Sequence, residues 1–431
     1  MSASAAIAEE PDLALAGGTP DQPVATGERI VTLDFIRGIA VLGILFPNIV
    51  AYANPALSYF WPKALPGGAE PFDKAVWLFQ MVLIDGKLRG LFTLLFGAGM
   101  MLFIERVWAR GGTRRLQARR LFWLALFGLA HFFLVWTGDI LFMYAIGGFG
   151  ALAMLKWPAR TQLRVGIAWW LVGALLLTAL LGGQAAMESL PQARANAPEQ
   201  YEELRQGATD MLGSAGKETA VMAGGSYGEV VSYRVREEAE GLGQALFFAL
   251  VETIPLMLVG MALYRMGLFE RGFDRATMRR WGWIGFGGGA VLTVPFGLWA
   301  ISRDFPLYLT QFAFGGAVTF LHLPMVVGLA ALLSLWAPRA APTWLGRRLV
   351  AAGRMAFSNY IGASAVMMLA FQGWAGGLYG QFHRDGLLLF VLVGWVLMLG
   401  WSKPWLDRFR YGPLEWLWRC LTYWRLFPLR R

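Results

Sequence analysis

An all-α, polytopic membrane bundle of about ten transmembrane helices, with both termini in the cytoplasm, is what three features of the 431-residue chain predict. It is 57% hydrophobic, with a mean hydropathy of +0.49. Only 15% of its residues are charged, where a soluble domain carries about 25%. Third, 25 of the 38 Lys and Arg residues fall in five clusters separated by apolar runs. The clusters are Arg106 to Arg120, Lys156 to Arg164, Arg265 to Arg280, Arg339 to Arg354 and Lys403 to Arg431. Cytoplasmic loops collect Lys and Arg, so the clusters mark one face of a membrane. The opposite connections are short, or acidic like Glu188 to Glu240, with ten acids against five bases. A bacterial inner-membrane location follows from the same asymmetry.

Along the chain, residues 1–28 are rich in Ala, Gly, Pro and acids and lack a basic start followed by an apolar run. A disordered cytoplasmic tail is expected there, not a signal peptide. A span needs about 20 apolar residues, and ten segments qualify: 30–53, 88–107, 119–137, 140–156, 164–182, 242–265, 281–302, 308–337, 355–374 and 387–406. Five of these make a first bundle over 29–182 and five a second over 242–406. The alternation closes only if Ala75 to Ile84 does not cross; Trp77 and Phe79 suit an interfacial or re-entrant helix. Residues 183–241 form one long periplasmic loop with helical patches and no evident core. Residues 407–431 set Trp and Tyr among Arg side chains, the pattern of a helix lying on the membrane surface.

A net charge of +10 points here to anionic lipids and to no nucleic acid, because the bases sit in loops between spans. The single cysteine, Cys420, makes no intrachain disulfide and no multi-cysteine metal site. Three histidines in separate segments lack metal-ligand spacing, so no bound metal or cofactor is expected. Gly97-Ala98-Gly99 and Gly287-Gly288-Gly289 follow no strand and precede no Lys-Ser/Thr, so close helix packing explains them.

Charges inside hydrocarbon are costly, which makes each one a candidate functional residue. In the first span Asp34, Arg37 and Asn48 share one helical face, a stripe running inward from the basic end. An Asp34–Arg37 pair that only pins the helix end is the plain alternative. His131 lies near the end of the third span, and Asp139 follows in the Thr137-Gly138-Asp139 turn. There Asp139 either caps the next helix or orients the imidazole as a general base. Glu252 falls mid-span before Pro255 and is either protonated or matched to a cation such as Arg37. His322 reads as polar glue between helices, and His383 as solvated surface.

These residues sit in segments that resemble the bacterial YeiB-like membrane proteins, a family of unassigned function. The matching motifs are Arg29 to Ile49, Leu88-Arg89-Gly90 to Gly99, Leu126 to His131, Gly138-Asp139 with Tyr144 to Gly147, Gly353 to Tyr360, and Gly412 to Tyr423. That family looks distantly related to the transmembrane acyltransferases, which include sugar O-acetylating enzymes and the lysosomal heparan-glucosaminide N-acetyltransferase. In the O-acetylating enzymes a His follows the first-span Arg after ten intervening residues; here ten also intervene, but the position holds Asn48. An amide is no base, so His131 is the replacement the resemblance leaves, and Arg37 is implied to lie near the acyl donor.

The expected activity is transfer of an acetyl-like group from cytoplasmic acyl-CoA, a co-substrate, to an envelope glycan, lipid or small acceptor. His131 and Asp139 are the expected catalytic residues, and Asp34, Arg37, Asn48 and Glu252 the substrate-binding ones. Asn48 or a backbone N–H would hold the oxyanion. A proton-coupled transporter working through Glu252 is the alternative, and a membrane scaffold the third.

Overall fold

The computed structural model describes residues 30–66, 68–270 and 272–431, so the expected 1–28 tail lies outside the described residues. The fold is all-helical; among the described residues the β-structure amounts to an isolated Phe409–Arg430 bridge. Among the described residues, seven helices are long and apolar enough to cross a membrane. Three of the ten expected spans are helices that fall short of that standard. Arg114–Leu134 starts among arginines, while Leu141–Leu152 and Ala356–Phe371 have 12 and 16 residues. At 1.5 Å per residue these two reach only about 18 and 24 Å, against about 30 Å of hydrocarbon.

Helix α1 is Val31–Ala53; it stops because Asn54 precedes Pro55, and a residue before proline avoids the helical region. Helix α2, Pro71–Phe79, opens with a reciprocal Glu70–Asp73 cap and runs through a π-turn over Gln80–Ile84. It breaks at Asp85-Gly86, where Gly86 takes φ +70°, and the chain resumes as α3, Lys87–Ala109. A side chain at Gly86 is excluded twice over: by the left-handed φ, and by the His322 ring 2.4 Å from where a Cβ would sit. The break frees carbonyls, and buried Lys87 donates to Met81 O at 2.6 Å.

The chain continues through α4, Arg114–Leu134, α5, Leu141–Leu152, and α6, Ala159–Ser189. Residues 183–241 are helical over most of their length. They complete α6 and then form α7, Pro198–Gly224, and α8, Tyr227–Arg236, before α9 begins at Gly241 and ends at Arg265. Few residues of this segment are buried, Met222, Val230 and Arg234 among them, yet polar contacts seat it on the far end of the bundle. Glu218 accepts from Ala56 N at 3.0 Å and from Tyr379 Oη at 3.0 Å, and Gly373 N donates to Met222 O at 2.8 Å.

Burial, and after it the charge of Glu238, push the Glu218 carboxyl up from 4.5 to about 7. A carboxyl raised in the folded state contributes its stability in full below about 4.5 and loses it as pH rises through about 7. Hydrogen exchange in α7, corrected for its intrinsic pH dependence, should therefore be faster at pH 8 than at pH 5. Glu218→Gln should flatten that difference; an unchanged pH dependence in the variant would count against Glu218 as its source.

Five further helices follow: α10 (Arg275–Ser302), α11 (Thr319–Ala340), α12 (Trp344–Arg354), α13 (Ala356–Phe371) and α14 (Arg384–Arg408). The segment expected to span 308–337 is irregular, with a short helix and a π-turn over Phe312–Ala317 before α11. At the start of α14 buried Arg384 ties three segments together. Its guanidinium donates to Gln80 Oε1 (2.6 Å) and Ser58 O (2.7 Å), and its backbone N to Asp73 Oδ1 (2.9 Å). His383, expected to be solvated surface, is part-exposed and pairs with Asp73 at 3.0 Å. The element carrying Asp73 is far away in sequence, so no local pattern shows that pair.

Helix α15, Pro413–Tyr423, packs against α4 and α13. Its Glu415 accepts from Phe357 N (2.8 Å) and Ser358 N (3.0 Å), capping the first turn of α13. Trp418 Nε1 donates to Arg120 O at 2.8 Å.

Candidate functional site

Helices α1 and α3 descend from the arginine-rich end side by side. Along them, with α4, α5, α12, α13 and α15, runs a cavity of about 310 Å³. Arg37, Arg106, Arg120, Arg354, Arg410 and Arg419 line it against two carboxylates, Asp34 and Glu415; six minus two leaves four positive charges. The inner wall turns apolar and aromatic: Val41, Ile44, Phe92, Leu95, Phe96, Ile140, Tyr144 and Tyr360. From Asp34 to Ile44 the wall descends about 15 Å at helical rise. A cavity that is basic at its mouth and apolar at depth suits an anionic ligand with an apolar arm.

Glycine contacts build the mouth. A Cβ on Gly38 would lie 2.0 Å from Leu349 O, and one on Gly353 would lie 1.9 Å from Asp34 O. The backbones of α1 and α12 touch there, which brings Arg37 and Arg354 to one rim. Asp34 holds Arg37 at 2.9 Å, so the pair both braces the helix end and lines the cavity. Arg120 lies over the rings of Trp418 (4.3 Å) and Phe103 (4.9 Å), and Arg419 over Tyr411 (4.5 Å). Such stacking fixes the guanidinium planes at the mouth.

The close-packing expectation for Gly97 and Gly99 divides. A Cβ on Gly97 would strike Met257 O at 2.2 Å, so Gly97 serves packing of α3 on α9. Gly99 meets nothing nearer than Arg37 Nη2 at 3.6 Å and lines the cavity, keeping its throat open.

Past the inner wall lies a second void of about 20 Å³, lined by Ile44, Asn48, Tyr59, Asp85, Gly86, Arg89 and Ile140 among others. The stripe on α1 is therefore continuous: Asp34, Arg37 and Ile44 face the large cavity, and Ile44 and Asn48 the small one. Glu252, on a π-turn at Ala249–Thr253, meets Arg89 at 2.8 Å. The cation opposite Glu252 is thus Arg89, where Arg37 was the example expected. Arg89 belongs to the Leu88-Arg89-Gly90 motif, at the edge of the expected 88–107 span. The break at Asp85-Gly86 sets it deep, since α2 and the π-turn occupy the space above it. Asp85 and Tyr59, hydrogen-bonded to each other, were missed for the same reason.

His131 and Asp139 do meet, Nδ1 to Oδ1 at 2.9 Å, both almost fully buried. The other oxygen of Asp139 accepts from Phe142 N at 2.6 Å, so one carboxylate both orients the ring and caps α5. Tyr360 braces their turn, accepting from Ile140 N (3.2 Å) and donating to Gly138 O (3.3 Å). His131 itself lines neither cavity. Tyr360, its ring centroid 5.2 Å away, stands between His131 and the large one. From the far end α8 covers the pair, with Tyr227 Oη donating to Leu134 O at 3.0 Å. His322 packs beside Gly86, buried. Among the described residues no group of three or more His, Cys, Asp and Glu could hold a metal ion.

Fold and site together define a many-span helical membrane protein with an arginine-lined internal cavity. The chain belongs to the YeiB-like family: it is 31% identical to the uncharacterised protein YeiB of Escherichia coli (strain K12), over 92% of this chain and 96% of that one. It is also 29% identical to the uncharacterised protein YxaH of Bacillus subtilis (strain 168), over 95% and 98% of the two chains. Residues 263–425 match the family described as protein of unknown function (DUF418). No solved structure matches the chain significantly.

Proposed function

We propose that the protein is an acyltransferase of the bacterial inner membrane. It takes an acetyl-like group from cytoplasmic acyl-CoA and passes it to a hydroxyl or amine of an envelope glycan, lipid or small molecule. The observation that carries this reading is the cavity with six arginines at its mouth and an aromatic wall within. By the positive-inside rule that mouth faces the cytoplasm, where acyl-CoA is. The donor's phosphates suit the stacked guanidiniums of Arg120 and Arg419 together with Arg37. Its apolar arm and thioester follow Phe96 and Phe92 inward to Ile44 and Ile140.

Two measurements test it. Cell-envelope glycans and lipids compared with and without the protein should differ by one acetyl-sized mass increment. In purified protein, Arg37→Ala should weaken acetyl-CoA binding by about 10- to 100-fold, the weight of a charge-assisted hydrogen bond of about 1.5–3 kcal/mol. Identical envelopes together with unaltered donor affinity would end the reading.

One observation favours the transporter alternative. The α2–α3 break and the π-turn of α9 are joined by the Arg89–Glu252 pair, and discontinuous helices meeting at an ion pair suit alternating access. That reading requires solute flux that depends on a proton gradient and on Glu252, which acyl transfer does not.

A further inference from the structure

We propose that Asp85 takes the acceptor's proton, and that Asn48 and Arg89 hold the oxygen that becomes negative, in the small void beyond the inner wall of the cavity. The assignment rests on the acyltransferase reading and adds the reaction centre that reading lacks, since Asn48 is no base and His131 lines neither cavity.

Two side chains, Ile44 and Ile140, line both spaces, so a thioester advancing down the large cavity reaches the void next. The void's volume of about 20 Å³ is the room one oxygen atom needs. Its polar lining has two kinds of group. Asn48 and Arg89 bring N–H donors, and the void opens at the start of α3, where unpaired backbone N–H groups add positive character. Opposite them Asp85 is the carboxylate that lines the void. Arg89 is held in place by Glu252 at 2.8 Å, which leaves Asp85 as an acceptor for another proton donor. Such a donor is already present: the Tyr59 hydroxyl donates to Asp85 Oδ1. Tyr59 belongs to the connection at the far end of the bundle, the side from which an envelope acceptor arrives. Its phenol makes the hydrogen bond an incoming hydroxyl would make.

The reaction then balances. The acceptor oxygen attacks the thioester carbonyl carbon while its proton passes to the Asp85 carboxylate. The carbonyl oxygen, now negative, is held by the Asn48 amide and the Arg89 guanidinium. As the C=O bond re-forms, the C–S bond breaks, and the proton on Asp85 leaves with the thiolate as a free thiol. One hydroxyl and one thioester become one ester and one thiol, with no further reactant.

The test measures thiol release from acetyl-CoA by the full chain in lipid nanodiscs, with water as surrogate acceptor. On the same samples, binding of a non-hydrolysable thioether analogue of acetyl-CoA reports on the fold and the donor site. Asp85→Asn should lower turnover about 10²- to 10⁴-fold with analogue affinity unchanged, and Asp85→Glu should restore part of it. Asn48→Ala should lower turnover about 10²- to 10³-fold. Turnover in Asp85→Asn near that of the parent, or loss confined to His131→Ala, overturns the assignment but leaves the acyltransferase reading standing. Absence of thiol release by the parent chain, which binds the analogue, overturns both.

Discussion

Glu252→Ala is expected to destabilise the protein by about 1–3 kcal/mol, the cost of leaving one partner of a partly buried charge-assisted pair without its hydrogen bond. The Arg89 guanidinium would keep its charge between α3 and α9 with nothing of opposite sign at 2.8 Å. The π-turn over Ala249–Thr253 positions Glu252 for that contact. The backbones of α3 and α9 press together nearby: a Cβ on Gly260 would sit 2.0 Å from Leu94 O. The measurement is thermal or denaturant unfolding of purified protein in detergent. Replacing both partners, Arg89→Met with Glu252→Met, should recover most of the loss, because two apolar side chains leave no buried charge. A double variant no better than Glu252→Ala would show that the destabilisation comes from packing and not from the unpaired guanidinium.

Gly99→Leu should abolish donor binding, by at least about 100-fold or about 2.7 kcal/mol, while leaving the fold intact. Its new side chain would project into the cavity throat beside Arg37, with no protein atom nearer than 3.6 Å to its Cβ. Gly97→Ala, two residues away, should do the reverse. Its methyl group would meet the Met257 carbonyl at 2.2 Å, an overpacking that costs about 1–3 kcal/mol, and it lines no part of the cavity. Acetyl-CoA affinity and unfolding midpoint measured on both variants separate the two roles. A Gly99→Leu protein that binds donor normally would mean the donor sits elsewhere.

The same pair of glycines shows what one chain of letters can and cannot say. Both belong to one apolar run with one composition, and helical spacing does not tell which faces a neighbouring backbone and which faces a space. The stripe of Asp34, Arg37 and Asn48 was legible because it lies on a single helix, where 3.6 residues per turn determines the shared face. The His131–Asp139 pair was legible because a tight turn joins the two residues. Arg89–Glu252 and His383–Asp73 were not, because each joins segments more than 150 residues apart.

Hydropathy and the spacing of its arginine clusters determined by themselves that this protein is a many-helix membrane bundle with one basic end. Water, hydrocarbon and charge act on each segment separately, so those statements need no knowledge of neighbours. Tertiary structure alone decided that the motif segments around residues 34–44, 92–106, 140–144, 353–360 and 411–423 converge on one cavity. It alone decided that a helix broken at Asp85-Gly86 carries Asp85 and Arg89 to that cavity's inner end, and that Tyr360 screens His131 from it. Such placements depend on which backbones can approach, at Gly38, Gly97, Gly260 and Gly353, and close approach is a property of two surfaces at once.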